Sequence, residues 1–167
     1  MYSIGGNVMQ CKERLEVYLR EHQVPYMHQH HAQAFTAQKI AESEHIPGKM
    51  VAKTVIVLAD NQLIALVLPA SYQVDLNKVQ AMLGARDIRL AHEAEFANIF
   101  PDCEVGTMPP FGNLYGIAVY LEKRLTEEET MVFPVGTYTD TMSLKYADFE
   151  RLVHPVVVEF ARTHTWA

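Results

Sequence analysis

The chain has 167 residues and a formal net charge of −6, from 14 basic and 20 acidic side chains. An apolar share of 49% and a charged share of 20% suit one globular domain with a sizeable core. The charge excludes tight, sequence-independent binding to a long nucleic acid, though not recognition of a short single-stranded end, and no apolar run reaches the ~20 residues of a membrane span.

In chain order, residues 8–22 predict an amphipathic helix, with Val8, Cys11, Leu15, Tyr18 and Leu19 on one stripe. Pro25 ends it, and Tyr26-Met27-His28 should run as an edge strand. His28, His30 and His31 then read as a solvated loop; no carboxylate or cysteine follows at a metal-ligand spacing, and no metal is expected. Thr36 caps a short helix over 37–44, stopped by Ile46-Pro47-Gly48.

Residues 51–59 and 63–68 form two apolar strands joined at Asp60-Asn61-Gln62. They are apolar on both faces, so they predict the covered centre of a sheet. Asp75 caps a helix through Leu83, with Gly84 just beyond its end. A short strand over 87–90 and a helix over 92–100 follow.

A stiff loop, 101–113, carries prolines between glycines, and a strand over 114–121 resumes after it. Residues 122–129 read as a solvated connection. Strands over 131–135 and 141–144 flank a second glycine loop, 136–140. A helix over 146–153 closes the fold, with a last helical turn beyond Pro155. The irregular mixture of elements predicts an α+β single domain, a curled, mixed and barrel-like sheet surrounded by helices. The start lacks a basic segment followed by an apolar one, so the expected location is cytoplasmic. Cys11 and Cys103 are too few and too far apart in sequence for a zinc site or a disulfide framework.

Lys53 is the misfit. Strand alternation puts it with Val51, Val55 and Val57, where an ammonium is costly without a partner. Two readings stay open: it snorkels to water from the strand end, or it points into a cleft toward a carbonyl or an anion. Glycines in the 106–112 and 136–140 loops allow close backbone approach, and N–H groups beside a lysine can stabilise a carbonyl oxyanion. Both loops could equally be tight turns without a ligand. No G-x-S-x-G elbow, Walker phosphate loop, H-E-x-x-H helix or dinucleotide fingerprint occurs.

The order F-T-A-Q-K-I-A (35–41), I-P-G-K-M-V-A-K-T-V-I-V (46–57), D-L-N-K-V-Q-A-M-L-G-A (75–85), F-P-D-C-E-V-G-T-M-P-P-F-G-N-L-Y-G (100–116) and G-T-Y-T-D (136–140) resembles the YbaK/ProX family. These are aminoacyl-tRNA deacylases and the editing domains of prolyl-tRNA synthetases. The resemblance covers nearly everything after residue 24. It implies a domain over 25–167 with 1–24 as a packed helix, and hydrolysis of the ester on a mischarged tRNA, with a small acyl group such as Cys, Ala or Ser.

Carried over by position, the resemblance makes Lys53 the essential lysine and Thr54 its neighbour. Gly106, Thr107, Met108 and Pro110 form the G-x-x-x-P loop, Gly136, Thr137 and Asp140 the second loop, and Phe35 a pocket wall. It implies no cofactor; the partners are the 3′ adenosine and amino acid of aminoacyl-tRNA, and a synthetase. Related domains often carry a histidine where this chain has Tyr138. A non-catalytic binding module for an aminoacyl-adenosine end is the alternative.

Overall fold

A computed structural model of the chain describes residues 3–4, 7–8, 10–31 and 51–163. The sequence-predicted helix over 37–44, its cap Thr36 and the Ile46-Pro47-Gly48 stop lie outside the described residues, as does Phe35.

The chain opens with two short paired strands, β1 (Ser3–Ile4) and β2 (Asn7–Val8), and helix α1 (Cys11–Glu21). Val8 therefore belongs to a strand, and the helix begins three residues later than its apolar stripe suggested. Cys11, Leu15 and Leu19 are its buried face.

The centre is the hairpin of β4 (Ala52–Ala59) and β5 (Gln62–Pro69), paired from Ala52↔Pro69 to Ala59↔Gln62. Asp60 and Asn61 take φ of +46° and +68°, the two-residue turn whose twist matches that of the strands it joins. The short strand β7 (Ile88–Leu90) pairs with β4, while β3 (Met27–His30) and β6 (Tyr72–Val74) belong to other sheets. The carboxylate of Asp75 accepts the Asn77 and Lys78 amides at the start of α2 (Leu76–Leu83), and Gly84 ends that helix at φ +64°. Helix α3 covers Glu93–Phe96, shorter than the predicted span.

The first strand after the proline loop is β8 (Ala118–Glu122), because Gly112–Tyr115 forms a 3-10 turn instead of the strand start expected at 114. β9 (Thr130–Pro134) and β10 (Asp140–Lys145) lead into α4 (Tyr146–Val153). The last helical turn predicted beyond Pro155 is corrected to strands: β11 (Val156–Val158) pairs with β8, and β12 (Ala161–Thr163) pairs with β6. Three consecutive valines are poor helix formers and sit well in a strand.

The larger sheet has the order β11-β8-β5-β4-β7, with β8 parallel to β5 and antiparallel pairs on either side of β4. A second sheet, β3-β10-β9, lies beside it, and the bridge Val51↔Val132 joins its β9 to the residue before β4. Among the described residues every sheet ends in open edges, so the mixed α+β expectation holds and the curled, barrel-like part does not.

Both faces of the central hairpin are covered, as its doubly apolar sequence requires. Ala52, Ile56, Ala65 and Val67 join the main core with Leu15, Leu19, Met108, Phe111, Phe133 and Phe149. Val57, Ile64, Leu66 and Leu68 pack against Val79 and Phe160 on the other face. Phe111 is fully buried and meets Phe149 edge-on at 5.3 Å; truncating such a ring costs ~3–5 kcal/mol.

Residues 122–129 are solvated only in part: Lys123, Arg124, Glu127 and Glu129 are exposed, but Glu122 and Leu125 are buried. The Glu122 carboxylate accepts the amides of Phe160, Ala161 and Arg124, tying the chain's end to the sheet. No described helix is long and apolar enough to cross a membrane.

Candidate functional site

The two glycine loops fold onto each other. The Gly136 amide donates to the Thr107 carbonyl at 2.9 Å, and the Glu104 amide donates to the Gly136 carbonyl at 2.9 Å. The Thr107 hydroxyl and amide both donate to the Glu104 carbonyl, at 2.6 and 3.1 Å, and close the first loop into a turn. Gly106 and Gly136 take φ of +86° and +91°, a region that glycine enters without a Cβ penalty. Thr107, Met108, Pro110 and Gly136 are buried. The Gly136 and Glu104 amides are thus spent on holding the loops together, and the Thr107 amide on closing its own turn.

Gly136 also backs onto helix α1. A Cβ at Gly136 would lie 2.7 Å from Cys11 Cβ and 3.0 Å from its sulfur. The first turn of α1, the 101–104 segment, 135–137 and Asp140 together line a cavity of about 410 Å³. Tyr138 donates its phenol to the Val105 carbonyl and passes 3.3 Å from where a Gly106 Cβ would stand. It therefore bridges the loops from outside.

Asp140 anchors the second loop. Thr137 Oγ1 donates to Oδ2 at 2.7 Å, and His28 Nε2 and His30 Nδ1 meet Oδ1 at 2.6 and 3.2 Å. Burial alone would raise this carboxyl, but the hydrogen bonds from Thr137, His28 and His30 outweigh it and hold it below the usual carboxylate range. The solvated histidine loop of the sequence reading is corrected: His28 and His30 lie on β3, whose pairing with β10 sets Asp140 opposite His30.

Under the cavity lie groups that sequence spacing did not connect. Cys11 and Cys103, far apart in sequence, are neighbours in space together with Asp102. The Tyr115 phenol stands 3.7 Å from Cys11 Sγ, 3.6 Å from Cys103 Sγ and 3.4 Å from Asp102 Oδ1. Arg14 holds the other oxygen of Asp102 through Nε at 3.0 Å and a second nitrogen at 2.9 Å. The adjoining Cys11 thiol, then burial, push the Cys103 thiol well up, and burial does the same to the Tyr115 phenol. Only the fold brings these groups together; no local motif announces them.

Lys53 falls elsewhere. It shares its face of β4 with Val55 and Val57, and its ammonium donates to the Ala70 carbonyl at 3.3 Å. It lines a cavity of about 310 Å³ with Gln73, Leu76, Leu90 and Arg162, which among the described residues takes in neither glycine loop. Burial lowers its pKa, and no carboxylate among the described residues pairs with it. Thr54 points the other way, toward the face of Ala52 and Ile56 that packs with Met108 and Phe111. Its hydroxyl is buried and has no hydrogen-bond partner among the described residues. The structure thus joins Gly106, Thr107, Met108, Pro110, Gly136, Thr137 and Asp140, sets Thr54 on their side of the sheet, and leaves Lys53 on the other.

Comparison with known proteins follows this geometry. Residues 31–152 match the sequence model of the aminoacyl-tRNA editing domain. The Multifunctional Ser/Thr-tRNA deacylase ProXp-y of Escherichia coli (strain K12) is 30% identical over 104 residues, which span 62% of this chain and 62% of that protein. The same protein from Escherichia coli O157:H7 matches to the same extent. Among solved structures, hypothetical protein APE2540 superposes with a TM-score of 0.81 at 18% identity, covering 90% of this chain and 100% of that one. A structure described as a candidate trans-editing enzyme for prolyl-tRNA synthetase gives 0.79 at 16% identity, covering 93% and 99%. These two show a shared fold. With the family match spanning well over half of its length, the chain belongs to the YbaK/ProX group of aminoacyl-tRNA editing domains.

Proposed function

We propose that this protein hydrolyses, in trans, the ester joining a mismatched amino acid to the terminal ribose of a tRNA, with a small acyl group such as Cys, Ala or Ser. The observation that carries the reading is the clasp of the two glycine loops over a cavity, in a chain whose family is the editing domain. Serine draws added support from the relative named as a Ser/Thr-tRNA deacylase. In this reading 25–167 is the editing unit, 1–24 a helix packed on it, the location is cytoplasmic, and a synthetase hands over the charged tRNA.

An aminoacyl ester is already activated, so water or a ribose hydroxyl can attack without a protein nucleophile. Lys53 is the proposed catalytic cation. Its half-buried ammonium is not neutralised by a carboxylate among the described residues, the state in which a cation best stabilises a developing oxyanion. Lys53 stands one residue inside the start of β4, so a substrate reaching both it and the loops must lie across that strand end. Glu104 and Asp140 around the loop cavity suit the α-ammonium of the aminoacyl group. Apolar contacts discriminate a methylene by only ~1–3 kcal/mol, so several small acyl groups are expected to react. No cofactor is required.

The test is a panel of mischarged tRNAs incubated with the protein. Loss of the small-residue esters is expected; retention of every ester, at protein concentrations equal to tRNA, contradicts hydrolysis. Tyr138 favours a second reading, a binding module, because its phenol is engaged with the Val105 carbonyl at a loop position where the family resemblance leads one to expect a histidine. That reading predicts that a non-hydrolysable aminoacyl-adenosine raises the melting temperature while real aminoacyl-tRNA survives intact.

A further inference from the structure

Four side chains beneath the loop cavity have a geometry that the editing reaction does not use. Tyr115 Oη lies 3.6 Å from Cys103 Sγ, 3.7 Å from Cys11 Sγ and 3.4 Å from Asp102 Oδ1, and Cys103 Sγ lies 3.7 Å from Asp102 Oδ1. The thiols and the carboxylate are all within 4.8 Å of one another. A tetrahedral ion with metal–sulfur bonds of ~2.3 Å and metal–oxygen bonds of ~2.0–2.2 Å has ligand-to-ligand edges of about 3.3–3.8 Å. Four of the six edges of that tetrahedron are therefore already present.

We infer that Cys11, Cys103 and Asp102, with Tyr115 as fourth donor, form a binding site for a thiophilic divalent cation of the zinc class. Two sulfurs among four donors select against magnesium and calcium, which take oxygen shells. Binding is not a redox step: each thiol releases a proton to solvent, and two metal–thiolate bonds form. Charge closes as well. Two thiolates, one carboxylate, the Arg14 guanidinium and a divalent ion sum to zero, with the Tyr115 phenol neutral.

Arg14 fits the role of an outer partner that orients a ligand. It grips Asp102 Oδ2 through two nitrogens, which leaves Oδ1 on the sulfur side, and its guanidinium lies 5.2 Å from the Tyr115 ring centre. Cys11 is 2% exposed and Cys103 is partly exposed, so the second thiol gives an ion its way in. The bound ion would pin the first turn of α1 to the 101–104 segment, directly behind Gly136. The inference rests on these donors alone and not on the hydrolase reading.

The test uses the untagged full chain, reduced with a phosphine, stripped with chelator and dialysed against Zn²⁺ or Co²⁺. The expected result is one retained equivalent per chain. Cobalt should give a sulfur-to-metal charge-transfer band with the visible spectrum of a tetrahedral ion, and both thiols should resist a thiol reagent until chelator is added. C103S, checked for folding by circular dichroism, should lose the charge-transfer intensity of one thiolate and at least ~10-fold in affinity, and R14Q ~10–100-fold. Freely reactive thiols with no retained metal in the reduced wild-type chain overturn the site. So does retention unchanged in C103S, which would place the ion on His28 and His30 instead.

Discussion

Gly136 and Cys11 lie in direct contact: the space a side chain at Gly136 would need is already filled by Cys11 Cβ, 2.7 Å from the position of the missing Cβ. The second glycine loop is thus shaped from behind by the first turn of α1 as well as by its own hydrogen bonds to Thr107 and Glu104. The N-terminal helix belongs to the architecture of the cavity, although the family match begins only at residue 31.

Gly136→Ala should accordingly be far more damaging than Gly84→Ala. Both positions have positive φ, +91° and +64°, but Gly84 has nothing within 4 Å of its missing Cβ. The backbone penalty alone is ~1 kcal/mol, which is the expected cost at Gly84. Overpacking against Cys11 adds ~1–3 kcal/mol at Gly136. Urea unfolding of the two variants checks the ranking, and equal costs would contradict the contact.

Asp140 gives stability a defined acid limb. Its carboxyl is held below the unfolded value of ~3.9 by Thr137, His28 and His30, so the folded state binds the proton less readily than the unfolded chain does. The contribution is full above the unfolded pKa and lost as pH falls through the folded one. Asp140→Asn should cost ~1–2 kcal/mol at neutral pH. The stability gap to wild type should shrink steadily below about pH 4, as read by thermal unfolding across pH.

Glu122 is fully buried, and its carboxylate accepts three backbone amides, those of Arg124, Phe160 and Ala161. Glu122→Ala leaves the latter two amides buried without an acceptor and should cost ~3–5 kcal/mol. Release of residues 156–163 should be visible as early amide exchange there, while the β4–β5 hairpin stays protected.

The sequence made the central hairpin legible because doubly apolar strands, a turn at Asp60-Asn61 and the Asp75 and Gly84 caps are local signals. The two glycine loops could be named because positive-φ positions select glycine. Their mutual grip could not, since it consists of backbone hydrogen bonds that any residue can make. The end of the chain was misread as helix because Pro155 punctuates a strand as well as it breaks a helix. Glu122 looked like one more surface charge, since nothing near it in sequence shows that two amides nearly forty residues on would cover it. The Cys11–Cys103 pairing was invisible for the same reason. Strand alternation placed Lys53 beside Val55 and Val57 correctly, but that face turned out to lie away from the loops it was expected to meet.

Lys53 also allows a test in which stability and activity move in opposite directions. Its ammonium is partly desolvated and, among the described residues, has only the Ala70 carbonyl as partner, so Lys53→Met should be neutral or stabilising by ~1 kcal/mol. Because burial lowers its pKa, wild-type stability should rise with pH between the folded value and the unfolded ~10.4, a slope absent from Lys53→Met.

The decisive measurement is single-turnover deacylation of a small-residue mischarged tRNA by wild type and Lys53→Met side by side. The account predicts release of the amino acid by wild type and a rate ~10²–10³ lower for a variant that melts no earlier. Equal rates for the two proteins, or an ester that outlasts an equimolar excess of wild type, would contradict it.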